Sequence, residues 1–309
     1  MVKVFLLIVV GLAGDANHAE LFHKWGTTLA TSSDKLGVSQ ERLVYLVDQP
    51  DESDKRVSGP ATSEAVVKAL DTFAAQAGPD DVVMVTLIGH GDFNGKEAKF
   101  NLRGPDMTAA AFKPLLAKVK GRVVFVNTTS ASGPFVAELS GQNRTIVTAT
   151  RNGAETYDTL FGGAFVEALT AAEADLDKNR RISVFEAFQY ATAQVVRSYE
   201  REGLLMTEHA MLDDDGDKEG TQKLSATTKD GKVAMVLSLG SIETGPAPSD
   251  PKLVALYAER RDLERRVENL RLLKDSMDPA RYATEFESAA TALARKTQEI
   301  RAAEAAQKK

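Results

Sequence analysis

The sequence predicts an α/β fold: a mainly parallel sheet with helices on both faces, followed by a C-terminal antiparallel helical hairpin. Three observations predict it. Short apolar runs rich in Val, Ile and Leu recur at 2–12, 43–47, 82–88, 122–127 and 145–149. Each is too short for a globular helix and reads as a strand buried on both faces of a parallel sheet. Segments with apolar residues at helical spacing alternate with these runs, as βαβ units require. From Pro251 onward the texture changes to long, charge-rich amphipathic stretches.

The first run (VKVFLLIVVGL) ends in a Gly-containing loop, Gly11 to Gly14. One Lys before a short apolar stretch also mimics a secretory signal. A first strand is the preferred reading, with any true signal peptide upstream and removed, which would make a periplasmic or secreted location the expectation. Leu21, Phe22, Trp25 and Leu29 then mark a helix over 15–36. Residues 43–47 form the second strand, and the charged stretch 48–60, with two prolines, is an exposed loop. Thr62-Ser63-Glu64 starts a helix over 65–77. Residues 100–102 are a small excursion, and Thr108 caps a helix over 108–119. After the strands at 122–127 and 145–149 come a loop at 150–159 and a helix over 161–172. Residues 225–239 read as a β-hairpin around Asp230-Gly231. The body is expected over 1–243, with a Pro-rich linker at 244–250. Helices before and after Asp278-Pro279 make an arm over 251–309, because proline ends a helix before it. The apolar stripe of that arm suits self-packing, a homo-oligomer or a partner protein.

The chemistry concentrates at two strand ends. The run at 81–88 ends in Gly89-His90-Gly91, and the run at 122–127 ends in Thr128-Thr129-Ser130-Ala131-Ser132-Gly133. Parallel strands leave an open sheet at the edge where such folds place their sites. Glycines there permit tight turns and close approach to the peptide groups. Small hydroxyl residues fit either a plain turn or a nucleophile loop beside backbone N–H donors.

This pattern resembles the legumain and caspase group of cysteine peptidases. In that group one buried strand ends in His-Gly and the next leads into the nucleophilic Cys, with Ser-Gly shortly after. The resemblance runs from about Lys3 to about Gly220. It implies a caspase-like sheet, with His90 as general base and Gly91 as the oxyanion-hole glycine. Ser130 takes the position of the Cys. It also implies a substrate groove near His18, Thr128 and Thr129. Bacterial members also carry an Asp-rich stretch and a Thr-Glu-His segment, present here at 175–186 and 207–209.

This chain contains no Cys. A serine hydroxyl is far less acidic than a thiol and needs a base held by a third group. Thr128 also stands where legumains have an acidic residue that shapes the pocket. Three readings follow: a pseudo-peptidase serving as a peptide-binding or scaffold module, a peptidase with its Cys exchanged for Ser, or a hydrolase using Ser130 and His90.

The stretch 175–186 places oxygen donors at the spacing of an EF-hand loop: Asp175, Asp177, Asn179, Ser183 and Glu186, with Arg181 at the position that ligates through its carbonyl. Calcium is the cofactor this implies. Arg180 stands where the loop normally has Gly. A second acidic stretch, 213–220, lacks a closing Glu and reads chiefly as a solvated loop, while His209 reads as structural. With 309 residues and a net charge of -6, the chain can bury a large core and is a poor match for nucleic acid. No stretch is long and apolar enough to span a bilayer, and the expected ligand is a peptide or protein.

Overall fold

A computed structural model describes residues 2–51, 53–177, 179, 181–225, 227–241, 250–274 and 277–307. Two compact units divide the chain, 2–242 and a C-terminal unit from Glu243.

The larger unit runs β1 (Val4–Val10), α1 (Ala16–Thr31), β2 (Leu43–Val47), β3 (Gly59–Pro60), α2 (Ser63–Gln76), β4 (Val82–Ile88), β5 (Gly91–Phe93), β6 (Ala98–Phe100), β7 (Met107–Thr108) and α3 (Ala109–Leu116). It continues with β8 (Arg122–Asn127), α4 (Pro134–Leu139), β9 (Arg144–Thr148), α5 (Phe161–Ala168), β10 (Arg181–Ser183), α6 (Val184–Glu202), β11 (Met211–Asp213), α7 (Lys232–Val236) and β12 (Ser238–Ser241). Seven strands form one sheet in the order β11-β9-β8-β4-β1-β2-β3. All neighbours are parallel except β11, which runs antiparallel to β9.

Strand alternation divides the core in two. Leu6, Ile8 and Val10 of β1 pack with Met84 and Ile88 of β4 on the side of α1, α5 and α6. Phe5, Leu7 and Val9 face the other way, against α2 and α3, with Val83, Val85 and Phe125. Burial on both faces explains why β4 is an unbroken apolar run. It is also why the α/β class was legible.

Local start signals hold. Thr62 accepts the N–H of Ala65 and Thr108 that of Ala111, capping α2 and α3. Several expectations are corrected. The excursion at 100–102 belongs to a small antiparallel sheet of β5, β6 and β7. Residues 225–239 are no hairpin. Lys232–Val236 is helical, and β12 pairs antiparallel with β10. The loop at 48–60 ends in β3, which adds a short edge strand beside β2. The linker lies outside the described residues except for Asp250, whose carboxylate accepts the N–H of Lys252 at the start of the next helix.

The C-terminal unit consists of α8 (Pro251–Leu273) and α9 (Pro279–Gln307). Glu259 pairs with Lys296 at 2.6 Å, and Arg271 lies over the Phe286 ring. As one helix advances the other returns, so the pair is antiparallel. Val267, Leu270 and Ala289 form its buried seam. Among the described residues no helix is long and apolar enough to cross a membrane.

Candidate functional site

The chain runs from β1 through β2 and β3 to one side, then returns to β4 on the other side of β1. The crevice outside the carboxyl ends of β1 and β4 is therefore the topological switch point, where open α/β sheets place ligands. His90 follows β4, and Ala13 and His18 follow β1. Ser130 follows β8, the other neighbour of β4.

His90 is held from several sides. Its Nε2 lies 3.0 Å from the carbonyl oxygen of Ala13, so Nε2 carries the donated proton. Its Nδ1 lies 3.4 Å from Oδ1 of Asp158. The ring stands edge-on to His18 and Phe22, with centroids at 4.8 and 5.1 Å. His18 comes from the first turn of α1. Asp15 caps that helix by accepting the N–H groups of Asn17 and His18. The other Asp15 oxygen lies 2.5 Å from Nδ1 of His18. Nε2 of His18 lies 3.1 Å from Oδ2 of Asp158. The hydrogen bond to Asp15 raises the affinity of His18 for a proton above the ordinary imidazole value. Burial opposes that shift and the charge of Asp158 adds to it.

Ser130 is buried beside Gly91. Its hydroxyl donates to the Gly91 carbonyl at 3.0 Å and lies 3.4 Å from the Gly91 N–H. Ala131, next in the chain, has φ of 52°, a left-handed conformation uncommon for a side chain bearing a Cβ. That bend sends the chain into the Ser132-Gly133 turn, where Ser132 and Thr150 share a hydrogen bond. Gly133 packs so tightly on the peptide between Arg151 and Asn152 that a Cβ there would approach it to 2.3 Å.

Two groove residues are relocated. Thr128 and Thr129 are fully buried. The Thr128 hydroxyl donates to the carbonyl of Leu87, and that of Thr129 donates to Asn127. The first ties the strand end to β4 and the second folds back on its own segment, so neither hydroxyl lines a groove. His18 does face the crevice, partly exposed.

No family model matches the chain, and no curated protein does. Among solved structures it is similar to a structural-genomics target protein from Geobacter sulfurreducens. Identity is 12% and the TM-score 0.45, over 68% of this chain and 92% of that one. So slight a likeness carries no functional information, and the site has to be read from its own geometry.

Asp158 is the residue the sequence did not announce. It sits on the 150–159 loop, far in sequence from both histidines. The Thr207-Glu208-His209 segment pins that loop. His209 Nδ1 lies 2.7 Å from Glu155, which also accepts the N–H groups of Arg151 and His209. The carbonyl of Glu155 accepts the N–H of Ala131, next to Ser130. Glu208 accepts the N–H groups of Leu160 and Phe161, where α5 begins. Burial pushes the Glu208 carboxyl up to about 7, against those two hydrogen bonds. His209 is thus a clamp for the loop carrying Asp158, and the Thr159 hydroxyl fastens the same loop to the carbonyl of Thr128.

The 175–186 segment leads through a short strand into α6. Ligand atoms of Asp175, Asp177 and Glu186 lie within 4.8 Å of one another. Arg181–Ser183 forms β10, and Ser183 with Glu186 makes a capping box at the start of α6. Glu186 also accepts the N–H of Leu176, drawing the loop closed. Asn179 is occupied internally, accepting from Arg181 N–H and donating to Asp177. Burial raises the proton affinity of Asp177. Arg180, the departure from the usual pattern, lies outside the described residues. In the second acidic stretch, Asp213 and Asp215 converge with Asp230. Asp214 turns inward to accept the N–H groups of Gly231 and Ala234 at the start of α7.

Proposed function

We propose that the chain is a legumain- or caspase-like body without a nucleophilic thiol, serving as a peptide-binding or scaffold module. The observation that carries this is the direction of the Ser130 hydroxyl. It donates to the Gly91 carbonyl, while Nε2 of His90 is taken by the Ala13 carbonyl and Nδ1 stands 3.4 Å from Asp158. A serine whose proton goes to a carbonyl has no base to activate it. The test is an endopeptidase assay on peptides with Asn, Asp, Arg or Lys before the scissile bond. The expected result is no turnover by the unmodified chain, with saturable binding of a subset of the uncleaved peptides. A hydrolase using Ser130 and His90 is the second reading. It is favoured by the carboxylate of Asp158 beside His90, since a triad requires such a group. Robust cleavage that both Ser130→Ala and His90→Ala abolish would establish it instead.

In the same reading the 175–186 loop is a calcium site of modest affinity. Its support is the spacing of the oxygen donors from Asp175 to Glu186 in the sequence, which matches the EF-hand pattern. Calorimetry with calcium should show a binding heat that Asp177→Asn reduces. A flat titration at millimolar calcium would remove the site.

A further inference from the structure

We propose that His18, His90 and Asp158 form a zinc site at the mouth of the switch-point crevice. Their ligand atoms all lie within 4.8 Å of one another. Nε2 of His18 stands 3.1 Å and Nδ1 of His90 3.4 Å from the Asp158 carboxylate oxygens. A tetrahedral zinc with bonds of about 2.0–2.1 Å keeps its ligand atoms roughly 3.3 Å apart. The two nitrogen–oxygen separations, to Oδ2 and Oδ1 respectively, are close to that edge length, and the third edge lies within 4.8 Å.

Each imidazole is anchored through its other nitrogen: Nδ1 of His18 to Asp15 at 2.5 Å, and Nε2 of His90 to the Ala13 carbonyl at 3.0 Å. That leaves Nε2 of His18 and Nδ1 of His90 as the ring atoms turned toward the Asp158 carboxylate. A divalent cation seated among the three displaces any proton they share. Anchoring a ligating histidine through its second nitrogen, to a carboxylate or a backbone carbonyl, is also the usual arrangement around protein-bound zinc.

The surroundings favour this metal over the harder cations. Two imidazoles and one carboxylate suit zinc, whereas calcium and magnesium call for oxygen ligands. The rings are held by packing, with Phe22 against both. Three protein ligands leave a fourth position for water or an incoming donor such as a peptide carboxylate or side chain. The inference concerns the same crevice as the proposed peptide module but does not depend on it, because zinc can bind whether or not a peptide enters.

The test is isothermal titration of the metal-stripped full chain with zinc chloride, repeated in excess calcium to fill any oxygen-ligand site. The expected result is one zinc per chain, unaffected by calcium. His18→Ala and Asp158→Asn should each weaken binding at least about tenfold, and Asp15→Asn by about tenfold through loss of the anchoring carboxylate. Asp177→Asn in the acidic loop should leave zinc affinity unchanged. Cobalt substitution should give the visible absorption of a tetrahedral centre, lost in Asp158→Asn. Asp158 is 63% exposed at its side chain, so that variant keeps the fold even if His18→Ala does not. Absence of zinc binding, or equal affinity in wild type and Asp158→Asn, would overturn the site.

Discussion

Ser130→Cys should introduce a side chain that reacts with iodoacetamide and with a peptide acyloxymethyl ketone. In the native chain the hydroxyl is spent on the Gly91 carbonyl. A thiol is a weaker donor and holds that bond less firmly. It is also ionised to a few per cent at neutral pH before any environment acts on it. The Gly91 N–H, 3.4 Å from the serine oxygen, favours the thiolate, against burial and the neighbouring Gly91 carbonyl. Labelling is the direct readout, followed by mass spectrometry of the modified peptide and by a search for cleavage of the chain itself. If the introduced thiol is no more reactive in the folded protein than in urea, the crevice has lost the arrangement on which the peptidase resemblance depends. Zinc sharpens the experiment. With His18, His90 and Asp158 holding a metal, labelling should slow on adding zinc and recover with chelator.

The sheet and the site differ in how far sequence could reveal them, and the difference is physical. Strands buried on both faces must be apolar throughout, so β1, β4 and β8 stood out as runs, and their ends brought His90 and Ser130 to notice. The donor spacing of 175–186 is likewise a local pattern, readable within one short segment. Asp158 has no such local signature. It meets His18 and His90 only because β1 and β4 are neighbours and because His209, Glu155 and Glu208 fix the 150–159 loop. The apolar residues of 232–236 suggested a strand. They form a helix because the distant carboxylate of Asp214 accepts the N–H groups of Gly231 and Ala234, a tertiary cap invisible in the local pattern. The peptidase resemblance implies a groove role for Thr128 and Thr129. Their burial follows from hydroxyls that bond inward, which residue type alone does not decide.

Gly91→Ala should cost the fold about 2–3 kcal/mol and disturb the crevice at the same time. A Cβ at this position would stand 2.4 Å from the carbonyl oxygen of Ser130 and 2.5 Å from the Thr129 hydroxyl, with the Lys99 carbonyl at 3.2 Å. Two of these three neighbours are backbone atoms. Thr129 itself is buried and hydrogen-bonded to Asn127. None of them is the free end of a flexible side chain, so the strain cannot be relieved by a rotamer change. β5 would have to withdraw from the end of β8, breaking the bond between the Ser130 hydroxyl and the Gly91 carbonyl. For a unit of this size, a loss of that magnitude lowers the melting temperature by roughly 5–10 °C. Gly141→Ala is the matched control. Its nearest neighbour to a new Cβ is the Arg144 side chain at 3.8 Å, an ordinary contact, and its melting temperature should stay close to that of the unmodified chain. Equal melting temperatures for Gly91→Ala and Gly141→Ala would mean that the close approach of β5 to the Ser130 loop is absent in solution. The same comparison made on Ser130→Cys separates site from scaffold. There Gly91→Ala should suppress labelling by iodoacetamide below the denaturation temperature, while Gly141→Ala leaves it intact.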